Sequence, residues 1–190
     1  MSSTKNNPKS IRSISANSGS SLIKKIRGFY ILARPRYTFF VVLVAFAGMV
    51  FETRSISYSV ILPLFIIGLH YIAVCIKDDI EDYEVDLKLD KGRPLVQKSV
   101  SLREAYSAWI GLHLLSLPLA LFVNMYFFIL MALYIPIGIL YAQKPFRLSD
   151  RSVLGNTFFV WFSVPLPFIA GAIALSGISV TTLIAAIALW

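Results

Sequence analysis

The apolar positions of this chain gather into long blocks separated by short polar breaks. Tyr37 to Phe51 is the first block, extended toward the N-terminus by "FYILARP". Ile56 to Ile76 is the second and cleanest. Ala105 to Val123, Met125 to Ala142 and Ser152 to Leu175 follow, and Ile178 to Trp190 is a shorter apolar remainder. A helix needs about 20 apolar residues to cross the hydrocarbon of a bilayer. The pattern predicts an all-α polytopic transmembrane bundle with five full spans and a partial sixth. Prolines 63, 118, 136, 165 and 167 fall inside the blocks. Such prolines are tolerated where neighbouring helices satisfy the freed backbone groups, so a packed bundle is expected rather than separate helices.

Composition agrees with that reading. Of 190 residues, 57% are hydrophobic and only 15% charged, against about a quarter charged in an ordinary soluble domain. The single cysteine, Cys75, lies in an apolar run and excludes both an internal disulfide and a cysteine-based zinc site. Net charge is +8, unevenly placed: residues 1–36 hold eight Lys or Arg and no acid. Residues 1–26, rich in Ser and Asn, are expected to be a disordered basic cytoplasmic tail held at an anionic leaflet, with a transmembrane domain over 27–190. A transit peptide shares this composition, but no amphipathic stripe supports it. No recognition module accompanies the basic charge, so nucleic acid is not an expected partner.

The breaks between blocks give a sidedness. Those after the first, third and fifth blocks are "ETR", "N" and "SG". Those after the second and fourth are longer and basic, with Lys77, Lys88, Lys91, Arg93, Lys98 and Arg103 in one and Lys144, Arg147 and Arg151 in the other. The positive-inside rule places the tail and both long loops in the cytoplasm.

The second break also carries most of the acid. "KDDIEDYEVDLKLD" holds seven of the ten carboxylates of the chain. Asp79, Asp82 and Asp86 have offsets of 0, 3 and 7, which on a helix form one face about 60° wide. Asp90 joins that face if the helix lasts so far, but Gly92 and Pro94 argue for an end nearby. Carboxylates sharing one face repel each other, and something positive should offset them. Magnesium binds through one or two carboxylates plus substrate phosphates, so the spacing suits a Mg2+–diphosphate site. Arg93, Lys144 and Arg147 are candidates for the remaining phosphate oxygens. A solvated loop neutralised locally by Lys77, Lys88 and Lys91 explains the same spacing, and both readings stay open at this point.

"DDIEDYEVDLKLDKGRPLVQKSVS" resembles the first Asp-rich motif of the UbiA-type intramembrane prenyltransferases, N-D-x-x-D-x-x-x-D followed by R-P-L. "YAQKPFRLSDRSVLGN" and "ARPRYTFF" resemble further segments of that family, in the same order along the chain. The resemblance implies a helical bundle that transfers an isoprenoid chain from a prenyl diphosphate to an aromatic or lipid acceptor, with Mg2+ as cofactor. It implies Asp79, Asp82 and Asp86 as the catalytic and metal-binding carboxylates. Asp78, Arg93, Tyr141, Lys144, Arg147 and Asn156 are the expected substrate-binding residues. Three positions depart from the family pattern: Asp78 stands for its Asn, Lys98 for its usual Gly, and Ser149 for a basic residue. The family pattern has about nine spans and a second Asp-rich motif. A truncated or split product, a homo-oligomer of facing half-sites, or a degenerate relative are the expectations for this shorter chain. The reading from another class is a non-catalytic membrane protein whose acidic loop binds a cation or a partner. "DDIED" also matches the D-D-x-x-D pattern of soluble isoprenyl diphosphate synthases, which five apolar spans exclude.

Among the remaining polar residues, His70 and His113 are expected to be neutral packing groups, since neither has a partner nearby in sequence. Phenylalanines 39, 40, 127, 128, 158 and 159 line either an isoprenoid tunnel or the lipid face.

Overall fold

The computed structural model describes residues 21–54, 57–143 and 152–189, all as helices and their connections. Helix α1 covers residues 21–32, so the expected boundary of a disordered tail at residue 26 falls inside a helix; residues 1–20 lie outside the described residues. Helices α2 (Pro35–Thr53), α3 (Ile61–Glu81), α4 (Tyr83–Lys88), α5 (Leu102–Leu121) and α6 (Met125–Ala142) follow. Then come α7 (Ser152–Ser163), α8 (Pro165–Leu175) and α9 (Val180–Ala188).

Among the described residues, three stretches are long and apolar enough to cross a membrane: Pro35–Thr53, Tyr58–Glu81 and Gly155–Leu175. The first does not run on from α1 as "FYILARP" suggested. Arg34 adopts φ 45 between the two helices, and Pro35 opens α2. Proline preset at the first helical position, after a residue turned out of the helix, separates them. The third is interrupted at Val164, ahead of Pro165, which has no N–H to continue the ladder.

Close approach of backbones builds the centre. A Cβ on Gly48 would stand 2.0 Å from the Phe168 carbonyl oxygen, and one on Gly171 would stand 1.9 Å from that of Ala45. Helices α2 and α8 therefore touch main chain to main chain, as small residues allow in lipid, where dispersion rather than water exclusion drives association. Around this contact lies an apolar core containing Val41, Met49, Ile66, Phe127 and Met131. Asn124 ties the opposite corner. Its side chain caps α6 by accepting from Phe127 N, and donates to the Ile173 and Ala174 carbonyls at the end of α8. These orphan helix-end groups need such partners wherever water is excluded.

A second, smaller core joins Leu32, Ile76, Ile80, Leu95, Val100 and Ala105. It pins α1 and the 92–100 turn against the C-terminal end of α3, and so decides where Arg93 and Arg34 sit. Ser101 and Glu104 start α5 with a reciprocal capping box.

Candidate functional site: a carboxylate–guanidinium chain at the end of α3

The acids sit where a helix least favours them. Asp78 and Asp79 occupy the last turn of α3, and Asp82 is its C-cap. A helix C-terminus is the negative pole of the macrodipole, so carboxylates there are destabilising and cations are favoured. Positive charge from elsewhere is required, and the structure supplies it.

Arg34 Nη2 stands 2.9 Å from Asp78 Oδ2 and 2.6 Å from Asp79 Oδ1. Arg93 Nη1 donates to the same Asp79 oxygen, while its Nε lies 3.3 Å from Asp86 Oδ2. Lys91 Nζ is 2.7 Å from Asp86 Oδ1. Charges thus alternate along one continuous chain, Asp78–Arg34–Asp79–Arg93–Asp86–Lys91. Asp79 and Asp86 retain 3% and 2% exposure, so both are desolvated. Burial works against the Arg34 charge, but Asp79 and Asp78 outweigh it and hold its pKa above the ordinary guanidinium value.

The helical face of Asp79, Asp82 and Asp86 is real but interrupted. Asp82 sits in a turn between α3 and α4, with its N–H still bonded to the Asp78 carbonyl and its own carbonyl accepting from Asp86 N. Helical spacing survives the break, which is why one guanidinium reaches both Asp79 and Asp86. Asp90 is not on that face. Helix α4 ends at Lys88, and Asp90 is exposed with φ 47.

Arg93 is aimed by the turn that follows it. Gln97 N bonds to the Arg93 carbonyl, and both the Ser99 N–H and hydroxyl bond to the Pro94 carbonyl. Leu95 and Val100 bury on either side of this turn. The position that departs from the family's glycine shows why glycine suits it. Lys98 has φ 56, in the left-handed region that a side chain disfavours.

Beside Asp78 lies a cavity of about 60 Å³ between α3, α6 and α7. Arg34, Asp78, Tyr71 and Tyr141 line its polar side, and Val74, Phe159 and Phe162 its apolar side. On the far side of Phe162 is an apolar groove of about 370 Å³, lined by Ile137, Thr157, Phe158, Trp161 and Leu166. The phenylalanines therefore divide. Phe158 and Phe159 face these spaces, Phe127 is in the core, and Phe39 and Phe40 are exposed on the outer face of α2.

Of the expected site residues, the structure brings Asp78, Asp79, Asp86 and Arg93 together, with Asp82 on the turn between them and Tyr141 on the adjoining cavity. Asn156 is exposed on α7. Lys144 and Arg147 lie outside the described residues. Arg34, the cation shared by Asp78 and Asp79, is not among the expected site residues. Its signal was an arginine just before the proline that opens an apolar span, opposite an acid-rich helix end in need of a counter-charge.

The donor set fits magnesium together with diphosphate rather than a cage made by protein alone. Among the described residues no three His, Cys, Asp or Glu side chains converge on one point. Magnesium does not require this, since it commonly takes one or two carboxylates and fills its octahedron with phosphate and water. Asp86 Oδ1 is suited to such a role: it is buried, and although Lys91 is near, no hydrogen bond of good geometry reaches it.

The model of the UbiA prenyltransferase family matches residues 41–190, and the chain belongs to that family. No curated protein sequence matches. Among solved structures, one of digeranylgeranylglyceryl phosphate synthase aligns with a TM-score of 0.74 at 22% identity, over 87% of this chain and 57% of that one. A UbiA homologue from Archaeoglobus fulgidus aligns in two states. With DMAPP and Mg2+ bound, the TM-score is 0.67 at 24% identity, over 84% of this chain and 58% of the other. With GPP and Mg2+ bound, it is 0.64 at 24% identity, over 86% and 58%. These likenesses establish the fold. The chain spans a little under three fifths of the length of each of these structures.

Proposed function

We propose that this member of the UbiA prenyltransferase family binds a prenyl diphosphate at the end of α3 and takes part in transferring its isoprenoid chain to an aromatic or lipid acceptor. The observation that carries the reading is Arg93 held between Asp79 and Asp86, next to a cavity with Asp78, Arg34 and Tyr141 on one wall and phenylalanines on the other. Charged groups for a diphosphate and an apolar space for its tail then adjoin at one end of a membrane bundle.

Asp79, Asp82 and Asp86 are the residues to hold magnesium, whose charge would stabilise the diphosphate as the allylic C–O bond breaks. Arg34 and Arg93 present guanidinium donors to the phosphate oxygens, with Lys144 and Arg147 as further donors from the next loop. Asp78, in place of an asparagine, steers Arg34 by pairing with it. Tyr141, Phe159 and Phe162 hold the first isoprene unit, and the groove beyond Phe162 takes the rest of the chain. The diphosphate departs with the electron pair of the C–O bond. The acceptor nucleophile then bonds to the allylic carbon and gives up its proton. Apolar walls keep water from intercepting that carbon.

This reading includes five full spans and a partial sixth, in an integral membrane protein with the tail and acidic loop in the cytoplasm. It also includes a partner, either a further polypeptide or another copy of the chain. A cysteine placed at Lys98 should be labelled from the cytoplasmic side only.

The test is binding of geranyl diphosphate to the full chain in detergent. Binding should need Mg2+ and should weaken by more than tenfold in Asp82→Ala. Affinity indifferent to EDTA and to Asp82→Ala would end this reading. It would favour the second reading, a structural ion-pair network in a non-catalytic protein, which the internally neutralised carboxylates also fit.

A further inference from the structure

On α1, exposed apolar residues and the cations Lys24 and Arg27 occupy neighbouring arcs of one short helix. At 100° per residue, Leu22, Ile23, Ile26 and Tyr30 share an arc of about 100°, and Lys24, Arg27 and Ile31 share the next 60°. The first group keeps 59%, 68%, 61% and 64% exposure, far above what a soluble helix leaves bare. The opposite side of the helix is anchored. Leu32 is fully buried, and a Cβ on Gly28 would stand 2.7 Å from Val100 Cγ2, so α1 lies tightly against the 92–100 turn. Lys25 adds an ion pair with Glu104.

Along the cationic arc runs a groove of about 670 Å³. Lys24, Arg27 and Ile31 form one wall, and Gly92, Gln97 and Lys98 lie on the other. None of its three cations has an ion-pair partner among the described residues, and no acid lines the groove. Lys98 reaches this wall from a backbone conformation with φ 56, which glycine would adopt more cheaply. A strained position that carries a cation into a cationic groove, rather than the residue that relieves the strain, indicates a use for the charge.

We propose that the groove between α1 and the 92–99 turn binds the phosphate headgroup of an anionic phospholipid, from the leaflet into which the apolar arc of α1 dips. The arrangement places each part of the ligand. Acyl chains run beside Leu22, Ile26 and Tyr30, and the phosphate sits among Lys24, Arg27 and Lys98 at headgroup depth. The groove is separate from the prenyl diphosphate site, because Arg93, between Gly92 and Pro94, turns its side chain toward Asp79 and Asp86. The inference does not depend on prenyl transfer.

The experiment titrates the detergent-solubilised full chain with short-chain phosphatidylglycerol and with phosphatidylcholine of the same acyl length. Native mass spectrometry counts the bound lipid. Phosphatidylglycerol should bind at least tenfold more tightly. Each cation near an anionic surface contributes about fivefold, so Arg27→Gln and Lys98→Gly should each lower that preference by about fivefold. Lys98→Gly also relieves the backbone, so its melting temperature should hold or rise, which separates lost binding from lost fold. Lys88→Gln, an exposed cation outside the groove, should leave the preference unchanged. Equal affinity for the two lipids would overturn the proposal. So would a loss in Lys88→Gln as large as in Arg27→Gln, which would mark unspecific surface charge. Displacement of the lipid by millimolar inorganic phosphate would also overturn it, in favour of a soluble anion.

Discussion

Helix α3 carries two buried polar clusters about 13 Å apart along its axis, and they are built on opposite terms. Near its middle, His70 bonds through Nδ1 to the Ser116 hydroxyl at 2.9 Å and through Nε2 to the Met131 carbonyl at 3.0 Å. His113 stands beside it with ring centroids 4.6 Å apart, so two histidines 43 positions apart in sequence form one cluster after all. Its partners are neutral groups on packed helices. At the end of α3, Asp79 and Asp86 are as deeply buried, but their partners are cations carried by turns, Arg34 between α1 and α2, and Lys91 and Arg93 after α4. A neutral cluster locked between helices can do little but hold them together. A charged cluster closed by turns can exchange one partner for a ligand at modest cost, because the turn can give way while the helices stay. Burial of a polar side chain in a membrane helix is therefore a weak sign of function, and the nature of its partner is a stronger one.

The largest test of that contrast is Asp79→Ala. It leaves Arg34 and Arg93 without their shared carboxylate. They keep 27% and 34% of their side-chain exposure, so the fold should lose about 2–3 kcal/mol, less than for fully buried charges. Mg2+-dependent binding of geranyl diphosphate should vanish in the same variant. Binding that survives would show the carboxylate to be structural only. Arg93→Lys comes next. A lysine ammonium can meet Asp79 or Asp86 but does not bridge them as a fork does, so geranyl diphosphate affinity should drop about tenfold, or about 1.4 kcal/mol. Equal affinity in titration calorimetry would separate Arg93 from the ligand.

His70→Leu should behave in the opposite way. The loss of two intramembrane hydrogen bonds should lower stability by about 1 kcal/mol, read by thermal or denaturant unfolding in detergent, with prenyl diphosphate affinity unchanged. A fall in affinity with stability intact would place the histidine cluster in the site and break the contrast. The smallest effect concerns α1. The Lys25 hydrogen bond, with those from Ser101, pulls the Glu104 pKa down to about 2 from an ordinary value of 4.5. A depressed carboxyl contributes to docking of α1 above its ordinary pKa and loses that contribution as pH falls through its folded value. Amide protection factors in residues 21–32, with the pH dependence of intrinsic exchange divided out, should therefore fall as pH drops from about 4.5 toward 2, and Glu104→Gln should remove that dependence.

Much of this was readable in the residues. Block length and hydropathy identify helices in lipid because no other element satisfies its own backbone there. The 0, 3, 7 spacing of Asp79, Asp82 and Asp86 identifies one face because helical geometry is local, and the break at Asp82 was mild enough to preserve it. Arg34 was harder. Its role rests on α1 folding back against the 92–100 turn, a contact between segments more than 60 residues apart. Tyr141 and Asn156 looked alike as candidates, yet one lines the cavity and the other faces outward, a difference that rests on how α6 and α7 pack.

By itself, then, the sequence determined what repeats along one helix: which stretches form apolar helices, which end of α3 carries the acid, and which acids align. Tertiary structure alone decided which cation meets which carboxylate, because charge attraction has no register of its own. Only the packing of Leu32, Leu95 and Val100 against α3 brings the guanidiniums within reach.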